Sequence, residues 1–469
     1  MIRIALPRGD LRGPLASALE EVDFEVVDYG SGSRAYRFNV KNRTDMTVRV
    51  FSDRDIPIQV ASGNYDLAIC SRISIDELLT RYPKESIVPL RMINLSNVSA
   101  DGSDSLVIGG AIDSDLSVLG SRDAYTVTTE FPNIALRYLT EMQARNYRIL
   151  DVWAQPEAWP PEDADFTIAT ESAVAREGLQ VLSHVHRGGI WLIANKNSLA
   201  MKNLSLALGP LLSMQSSEQN SGLVHPEPVE KLEMIPAIAR TRQRDPDNTV
   251  RIAVPDGHAQ RHTVKALADA GIVFDGYDET VAVRRPSSSD SGISVKVFRP
   301  QDMPRAVAMG LFDLAMTGRD WLENFLSLYP EAPVEELVDL GRSEYKLGAV
   351  ISNELDVDSM DEAITEWRRD DPDRVIRVTS EYAALADKYA RTNRLGRYSV
   401  IPISGASEGF VPEDAEILIE GTETGATLAA NNLSMIDVMI WSTNCIIGRK
   451  GGYPDRQQTM INSILDKFK

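Results

Sequence analysis

The amino-acid sequence repeats itself once along the chain. The segment Ile2-Arg-Ile-Ala-Leu-Pro7 returns as Val250-Arg-Ile-Ala-Val-Pro255, and Asp55-Ile-Pro57 returns as Asp302-Met-Pro304. Further paired segments follow in the same order: residues 62–67 with 309–314, 130–138 with 381–389, 170–172 with 422–424, and 192–195 with 446–449. The offset drifts only from 247 to 254 residues. This period is far above that of solenoid repeats, so each copy is expected to fold as a unit of its own.

A polar segment separates the two copies. Residues 214–222 contain a single apolar side chain, two prolines follow at Pro226 and Pro228, and residues 244–248 are Arg-Asp-Pro-Asp-Asn. Such composition is typical of a linker. We therefore predict a first copy at residues 1–205, a linker at 206–249 and a second copy at 250–469.

Within each copy, short apolar runs alternate with helical patterns. In copy 1, Leu15, Ala18 and Leu19 share one face of a helix that follows the first strand, and residues 66–70 read as a buried strand. This alternation indicates an α/β fold with largely parallel strands.

The charge balance restricts the ligands. The formal net charge is −19 at pH 7, which argues against nucleic acid as a partner. A polyanionic small molecule would also be repelled at long range, so a site for one must be locally basic or must use a metal.

Composition also bears on location. No run of about eighteen apolar residues predicts a membrane span. The first strand begins directly after Met1, so no signal peptide is expected. Cys70 and Cys445 lie far apart in apolar surroundings, as reduced thiols do in cytoplasmic proteins. We predict a cytoplasmic protein that contacts no membrane.

Copy 2 contains a segment suited to a phosphate ester. Residues 417–419 read as a buried strand and residues 428–430 as the start of a helix, with a turn between them. Backbone N–H groups at such a turn favour an anion. Thr424 and Thr427 add hydroxyl donors, while Glu420 and Glu423 could accept hydrogen bonds from sugar hydroxyls. The combination favours a sugar phosphate; an ordinary capped turn is the alternative.

The histidines form two close pairs, His184 with His186 and His258 with His262. The second pair has the i,i+4 spacing of a metal-binding helix, but the sequence shows no third ligand beside it. We interpret these histidines as exposed polar side chains and predict no metal site of the protein's own.

The turn of copy 2 also resembles the phosphoribosyl-binding motif of the ATP phosphoribosyltransferases of histidine biosynthesis, in their short catalytic form. Glu420 stands where that family has Asp, and the residues from Glu423 to Leu433 agree with the motif. Residues 299–304, 310–320 and 404–408 resemble further segments of the family. The resemblance covers both copies, which is nearly all of the chain outside the linker.

The resemblance implies a fold and a reaction. Each copy would be a two-lobed module like the type II periplasmic binding proteins. The reaction would join ATP, through adenine N1, to the anomeric carbon of phosphoribosyl pyrophosphate and release pyrophosphate. Mg²⁺ would be carried mainly by the substrate phosphates. The implied site residues are Arg299 and Arg319 for polyphosphate, Glu408 for the adenine amino group, Glu420 and Glu423 for the ribose hydroxyls, and Thr424, Gly425, Ala426, Thr427 and Leu428 for the 5-phosphate.

Both copies depart from the family pattern. The family opens with Leu-Pro-Lys-Gly-Arg-Leu, whereas copy 1 has Leu6-Pro-Arg-Gly-Asp-Leu11 and copy 2 has Val254-Pro-Asp-Gly-His258. In copy 1 the turn reads Ala169-Thr-Glu-Ser-Ala-Val174, without its glycine, and Ser52 stands where copy 2 has Arg299. We predict that copy 1 is a degenerate scaffold and that copy 2 is the catalyst.

Two other functions stay open at this point. One is a non-catalytic ligand-sensing or regulatory relative of the enzyme, which the lost cations favour. The other is a phosphoribosyltransferase that uses a different base. A homo-oligomer or a pseudo-dimer of the two copies is expected, and the need for a separate regulatory subunit is left open.

Overall fold

The computed structural model describes residues 1–30, 35–95, 105–120, 124–216, 221–230, 249–405 and 407–468. These residues form two compact units. Unit 1 contains the described residues up to 230 together with the segment Ser404–Gly409, and unit 2 contains the described residues from 249 onward without that segment. Apart from that segment, the units follow the two copies of the sequence repeat.

Unit 1 has two mixed sheets with helices on their faces. Its strands are β1 (Ile2–Pro7), β2 (Arg37–Val40), β3 (Arg43–Phe51), β4 (Leu67–Ser71), β5 (Ile87–Ile93), β6 (Leu106–Gly110), β7 (Tyr125–Thr129), β8 (Tyr147–Asp151), β9 (Phe166–Thr170), β10 (Gln180–Arg187), β11 (Ile190–Asn195) and β12 (Gly222–Leu223). The first sheet has the strand order β2-β3-β1-β4-β11-β5, and the second sheet has the order β12-β10-β6-β9-β7-β8. The helices are α1 (Arg12–Glu20), α2 (Ile56–Ala61), α3 (Arg72–Arg81), α4 (Pro132–Glu141), α5 (Glu171–Arg176), α6 (Lys196–Met201) and α7 (Ser205–Ser213).

Unit 2 repeats this plan. Its strands are β13 (Val250–Pro255), β14 (Phe274–Tyr277), β15 (Ala282–Ser288), β16 (Ile293–Phe298), β17 (Leu314–Gly318), β18 (Val334–Asp339), β19 (Tyr345–Ser352), β20 (Ile376–Ser380), β21 (Tyr398–Pro402), β22 (Ile417–Thr422), β23 (Leu433–Ser442) and β24 (Asn444–Arg449). The first large sheet has the strand order β16-β13-β17-β24-β18, and the second has the order β21-β20-β22-β19-β23. Strands β14 and β15 form a separate hairpin. The helices are α8 (His258–Asp269), α9 (Met303–Ala308), α10 (Arg319–Leu328), α11 (Met360–Trp367), α12 (Ala383–Thr392), α13 (Ala426–Ala430) and α14 (Asp455–Leu465).

The strand pairing of the two units agrees residue by residue. Ile4 of β1 lies opposite Leu67 of β4, and Ile252 of β13 lies opposite Leu314 of β17. The order β3-β1-β4-β11-β5 of unit 1 corresponds to β16-β13-β17-β24-β18 of unit 2. The predicted tandem duplication is confirmed, since a shared register is a stricter test than a shared sequence pattern.

The sheets are mixed rather than largely parallel, and in this respect the sequence-based prediction was wrong. Strand β1 is parallel to β3 and β4, but β11 is antiparallel to both β4 and β5. The reason is topological: β11 enters the first sheet only after the chain has formed strands β6 to β10 of the second sheet. Apolar periodicity shows that a strand is buried but carries no information on its direction.

Each unit is built from two lobes, one around each large sheet. In unit 2 the chain leaves the first sheet after β18, completes the second sheet, and returns to the first as β24. Each lobe has its own apolar core; Val254 and Ile446 belong to one, and Val378 and Ile419 to the other. This arrangement confirms the predicted α/β, type II periplasmic-binding-protein-like class. In the described part of the chain, no helix combines the length and apolarity that a membrane crossing requires.

The folded part of copy 1 extends beyond residue 205, where the linker was predicted to follow. All but the first residue of helix α7 and the whole of strand β12 fall within the predicted linker 206–249, and β12 pairs with β10. The helix was missed although Leu204, Ala207, Leu211 and Met214 have helical spacing, and all four are buried in the first core of unit 1. Residues 231–248 lie outside the described part of the chain.

A buried carboxylate in unit 2 offers a test of stability. Glu416 is 3% exposed and accepts hydrogen bonds from the Arg377 backbone at 2.7 Å and from the guanidinium groups of Arg377 and Arg374 at 2.9 and 2.7 Å. Burial alone would raise the pKa of this carboxyl, but the bonds from Arg377 outweigh it and hold the pKa below the ordinary value.

We expect Glu416→Gln to lower the free energy of unfolding by about 2 kcal/mol at pH 7, because charge-assisted hydrogen bonds are lost. The folded pKa lies below the unfolded value of about 4.3, so this stabilisation is present above that value and disappears as the pH falls through the folded pKa. Urea titrations at pH 7 and below pH 4 should show the difference shrinking. The exposed Glu354→Gln serves as the control; an equal loss at both pH values would contradict the argument.

Candidate active site

Unit 2 contains a cavity of about 470 Å³ that both of its lobes line. The first lobe contributes residues directly after β13 and β16 and the end of β17, and the second contributes the end of β22 with the turn that follows it. The carboxyl ends of neighbouring parallel strands meet at one edge of a sheet, which is where α/β proteins bind ligands. The lining includes Asp256, His258, Arg299, Gln301, Gly318, Trp321, Tyr345, Tyr382, Glu420, Glu423, Thr424, Thr427 and Asn444.

We call residues Glu420–Leu428 the phosphate turn. Gly425 has φ 75°, a left-handed conformation that glycine adopts without strain, and it precedes the short helix α13. Its N–H donates to the Thr422 hydroxyl at 2.8 Å, and the Ala426 N–H donates to Thr424 at 3.4 Å. Two of the backbone donors predicted for phosphate are thus used inside the turn itself.

Other backbone donors of the phosphate turn are free. Within the described chain, the N–H groups of Thr424, Thr427 and Leu428 have no acceptor. The side chains of both threonines are exposed, so the turn is open to a ligand. The Leu428 side chain is buried at 3% exposure, and only its backbone can face a ligand.

Both predicted carboxylates line the cavity, but each has a partner. Glu420 accepts the N–H of Gly421 at 2.9 Å. Glu423 faces the Nε2 atom of His258 at 2.8 Å, across 165 residues of sequence. The His258 contact lowers the pKa of the Glu423 carboxyl.

Arg299 lies in the cavity wall as predicted. Its Nη1 donates to Asp256 at 3.3 Å, while its buried Nε has no acceptor among the described residues. The buried Nδ2 of Asn444, which also lines the cavity, likewise has no acceptor among them. A buried donor without a partner costs free energy, and an anionic or carbonyl ligand would remove that cost.

Arg319 has a different environment from the one predicted. It is not part of the cavity lining, and it donates to both oxygens of Glu336 at 2.8 and 2.7 Å and to Asp339 at 2.9 Å. The hydrogen bonds to Glu336 raise the pKa of this guanidinium. The equivalent Arg72 of unit 1 is also ion-paired, with Asp76 at 2.9 Å. These ion pairs hold the Arg319 guanidinium against β18.

Glu408 lies in the segment Ser404–Gly409, which belongs to unit 1 and not to the unit that contains the cavity. The Ser404 N–H donates to Asp55 at 3.0 Å within unit 1. Glu408 is half-buried, and Ser407 donates to it at 3.2 Å. Glu408 is not among the residues that line the cavity of unit 2.

An aromatic surface of the cavity was missed by sequence reasoning. The rings of Trp321 and Tyr382 stack with centroids 4.1 Å apart, and Tyr345 lies in the same lining. Burial, and then the charge of the fully buried Asp320, raises the pKa of both tyrosines. Asp320 ends the family-like stretch Thr317-Gly-Arg-Asp320, and this match was the one signal in the sequence that pointed to the region.

In unit 1, the polar groups at the positions that correspond to the cavity wall of unit 2 form hydrogen bonds with one another. Ser71 occupies the position of Gly318, and its backbone N–H donates to Asp53 at 2.8 Å, as does the hydroxyl of Ser74 at 2.5 Å. The Nη2 of Arg54 donates to the Glu130 carbonyl at 2.8 Å. These polar groups of copy 1 are satisfied internally, in contrast to the donors of copy 2.

A family model and the relatives in sequence point to one family. A family model described as HisG, ATP phosphoribosyltransferase, matches residues 52–213 and 299–469, one segment in each copy. ATP phosphoribosyltransferase from Saccharolobus solfataricus is 29% identical over 47% of this chain and 71% of its own length. The enzyme from Pelotomaculum thermopropionicum is 29% identical over 44% of this chain and 66% of its own length. The matched region spans about two thirds of these relatives.

Two solved structures are similar to about half of the chain. An ATP phosphoribosyl transferase (HisG:HisZ) complex from Thermotoga maritima is similar over 47% of this chain and 96% of its own, with 19% identity and a TM-score of 0.37. The ancestral amino acid-binding protein AncCDT-1 is similar over 47% of this chain and 88% of its own, with 13% identity and a TM-score of 0.31.

Proposed function

Because the chain belongs to the ATP phosphoribosyltransferase (HisG) family, we propose that unit 2 catalyses the first step of histidine biosynthesis. In this reaction the lone pair of adenine N1 of ATP forms a bond to the anomeric carbon of phosphoribosyl pyrophosphate. The bond from that carbon to pyrophosphate breaks, and pyrophosphate leaves. The observation that carries the proposal is an open phosphate turn with the family motif, in a cavity whose wall also contains N–H donors that have no acceptor among the described residues.

Each end of phosphoribosyl pyrophosphate has suitable partners. The free N–H groups of Thr424, Thr427 and Leu428 and the two threonine hydroxyls suit the 5-phosphate. Glu420 can accept hydrogen bonds from the ribose hydroxyls. Arg299, whose Nε has no acceptor in the described residues, can donate to the pyrophosphate as negative charge develops on it.

The aromatic surface suits the purine. The stacked pair of Trp321 and Tyr382 presents a flat apolar face of the kind on which a base stacks. Adenine N1 is already a nucleophile, so no side chain has to remove a proton from it. Holding the ring against the anomeric carbon can therefore supply much of the rate.

Magnesium remains part of the proposal. Mg²⁺ prefers oxygen ligands and binds through one or two carboxylates plus substrate phosphates. Asp256 and Glu420, which both line the cavity, offer such oxygens, so the residues present fit this ion. When bound with the substrate, it would neutralise charge on the departing pyrophosphate.

Unit 1 is proposed to be a scaffold without a substrate site, because its equivalent polar groups bind one another. A homo-oligomer or a pseudo-dimer of the two copies, and a separate regulatory subunit, remain predictions of the family resemblance.

A regulatory, non-catalytic role is the second candidate. The charged side chains of the cavity lining favour it. The lining contains the acidic side chains of Asp256, Glu420 and Glu423 and the basic side chains of Arg299 and His258, so the wall is not basic.

Incubation of the full chain with ATP, phosphoribosyl pyrophosphate and Mg²⁺ separates the two roles, with mass spectrometry to detect phosphoribosyl-ATP and a coupled assay for pyrophosphate. Equal amounts of both products are expected. Saturable binding of phosphoribosyl pyrophosphate without product would favour the regulatory role. Failure to bind it at all would contradict both. Omission of ATP is the control for simple hydrolysis.

A further inference from the structure

Three potential metal ligands, His258, His262 and Glu423, lie close together, and His258 and Glu423 line the cavity. One nitrogen each of His258 and His262 and one carboxylate oxygen of Glu423 all lie within 4.8 Å of one another. The two histidines occupy the first turns of α8, four residues apart, with their ring centroids 5.8 Å apart. The sequence showed no third ligand for this pair, and the fold supplies one from the phosphate turn.

We propose that His258, His262 and Glu423 bind a divalent transition-metal ion of the zinc class. Two imidazoles with one carboxylate are a ligand set that leaves a fourth position of a tetrahedral ion open. Imidazole nitrogen selects zinc, cobalt or nickel over magnesium, which prefers oxygen. His258 and Glu423 are also partly exposed, with 64% and 36% of their side chains accessible, so their ends can adjust around an ion.

The location of the site suggests that the ion helps to bind an anionic substrate. This part of the inference rests on the proposed function. The cavity lining carries Asp256, Glu420 and Glu423 against Arg299 and His258, in a chain of net charge −19. Such a wall attracts a polyanion only weakly. An ion on His258 and Glu423 adds positive charge at the wall itself, and its open position can accept a phosphate oxygen.

An ordinary ion pair is the competing explanation. His258 and Glu423 are 2.8 Å apart, and Arg261 lies 4.0 Å from the other oxygen of Glu423, so the group could be held by its own charges. The two explanations differ in a measurable way. The ion pairs need only His258, Arg261 and Glu423, whereas a metal site also needs a ring nitrogen of His262, whose Nε2 accepts a hydrogen bond from Arg261 at 3.1 Å. In copy 1 the sequence repeat places Asp10 and Pro14 at the positions of the two histidines, so that copy cannot form the site.

The test is a calorimetric titration of the metal-free full chain with Zn²⁺, repeated with Co²⁺ to follow its visible absorption. We expect one ion per chain, with at least tenfold weaker binding in His262→Ala and in Glu423→Gln, and no displacement by excess Mg²⁺. His225→Ala is the matched control, because His225 also contacts a glutamate, Glu141 at 3.1 Å, without a second histidine. His262→Gln repeats the test should the alanine variant prove unstable.

Absence of saturable Zn²⁺ binding, or equal affinity in the wild type and in both ligand variants, would overturn the proposal. No substrate enters these titrations, so the result is independent of the proposed transferase activity. A second titration, of pyrophosphate into the chain with and without Zn²⁺, tests the purpose of the ion. Tighter pyrophosphate binding with Zn²⁺, lost in His262→Ala, is expected; unchanged binding would show that the ion does not serve an anionic ligand.

Discussion

Replacing Gly425 with aspartate is expected to weaken the binding of phosphoribosyl pyrophosphate by at least about 100-fold. A carboxylate about 4 Å from a phosphate costs on the order of 4 kcal/mol at the effective dielectric of a protein surface. Gly425 lies between Thr424 and Thr427, which both line the cavity, and a Cβ at this position meets no atom within 4 Å. The variant should therefore fold, because Asp also tolerates the left-handed conformation that φ 75° requires.

Gly425→Asn is the matched control for this change. Asparagine has the same shape and the same tolerance of positive φ, but it carries no charge. We expect this variant to bind phosphoribosyl pyrophosphate no more than about tenfold more weakly than the wild type. Its one disadvantage is that asparagine adopts a positive φ less readily than glycine does. Calorimetry with phosphoribosyl pyrophosphate measures both variants. Normal affinity in Gly425→Asp would remove the phosphate turn from the substrate site.

We expect Arg299→Ser to lower kcat/KM by roughly 100-fold to 1000-fold. Serine is the residue that copy 1 has at this position. In other enzymes, the loss of one hydrogen-bond donor that faces the charge developing in the transition state has an effect of this size. Arg299 lines the cavity, and its buried Nε has no acceptor in the described residues, so the guanidinium has donor capacity left for pyrophosphate. Arg299→Lys keeps the charge but loses the planar pair of donors, so an intermediate value is expected.

The control for Arg299 is Arg397→Ser, which removes one positive charge from the same unit. Arg397 is 64% exposed and pairs with the exposed Asp373, away from the cavity lining. Steady-state kinetics should show Arg397→Ser at the wild-type rate. An equal loss in both variants would indicate that net charge alone, rather than contact with the substrate, explains the effect. An unchanged rate in Arg299→Ser would exclude the proposed role.

The local sequence pattern was sufficient to predict the backbone conformation of the phosphate turn. It was not sufficient to predict which side chains form hydrogen bonds or ion pairs with one another. The strand and the turn around Gly425 form as expected, since residues 417–419 are buried and the glycine has positive φ. The helix differs from the prediction: it spans only Ala426–Ala430, so it ends at the residues where it was predicted to begin. The ion pairs of Arg319 were not predictable in the same way. Its acceptors Glu336 and Asp339 lie on β18, and only the pairing of β18 with β24 next to β17 brings them to it.

The sequence by itself determined that the chain is duplicated, that each copy alternates strands and helices, and that copy 2 retains the phosphate turn. These are properties of residues close together in the chain, where periodicity and turn chemistry act. The tertiary structure decided which charged groups remain available to a ligand. Glu423 meets His258 across 165 residues, and Asn444 reaches the cavity only because its strand returns to the first sheet. Electrostatic contacts depend on distance in space, and the packing of the lobes sets that distance.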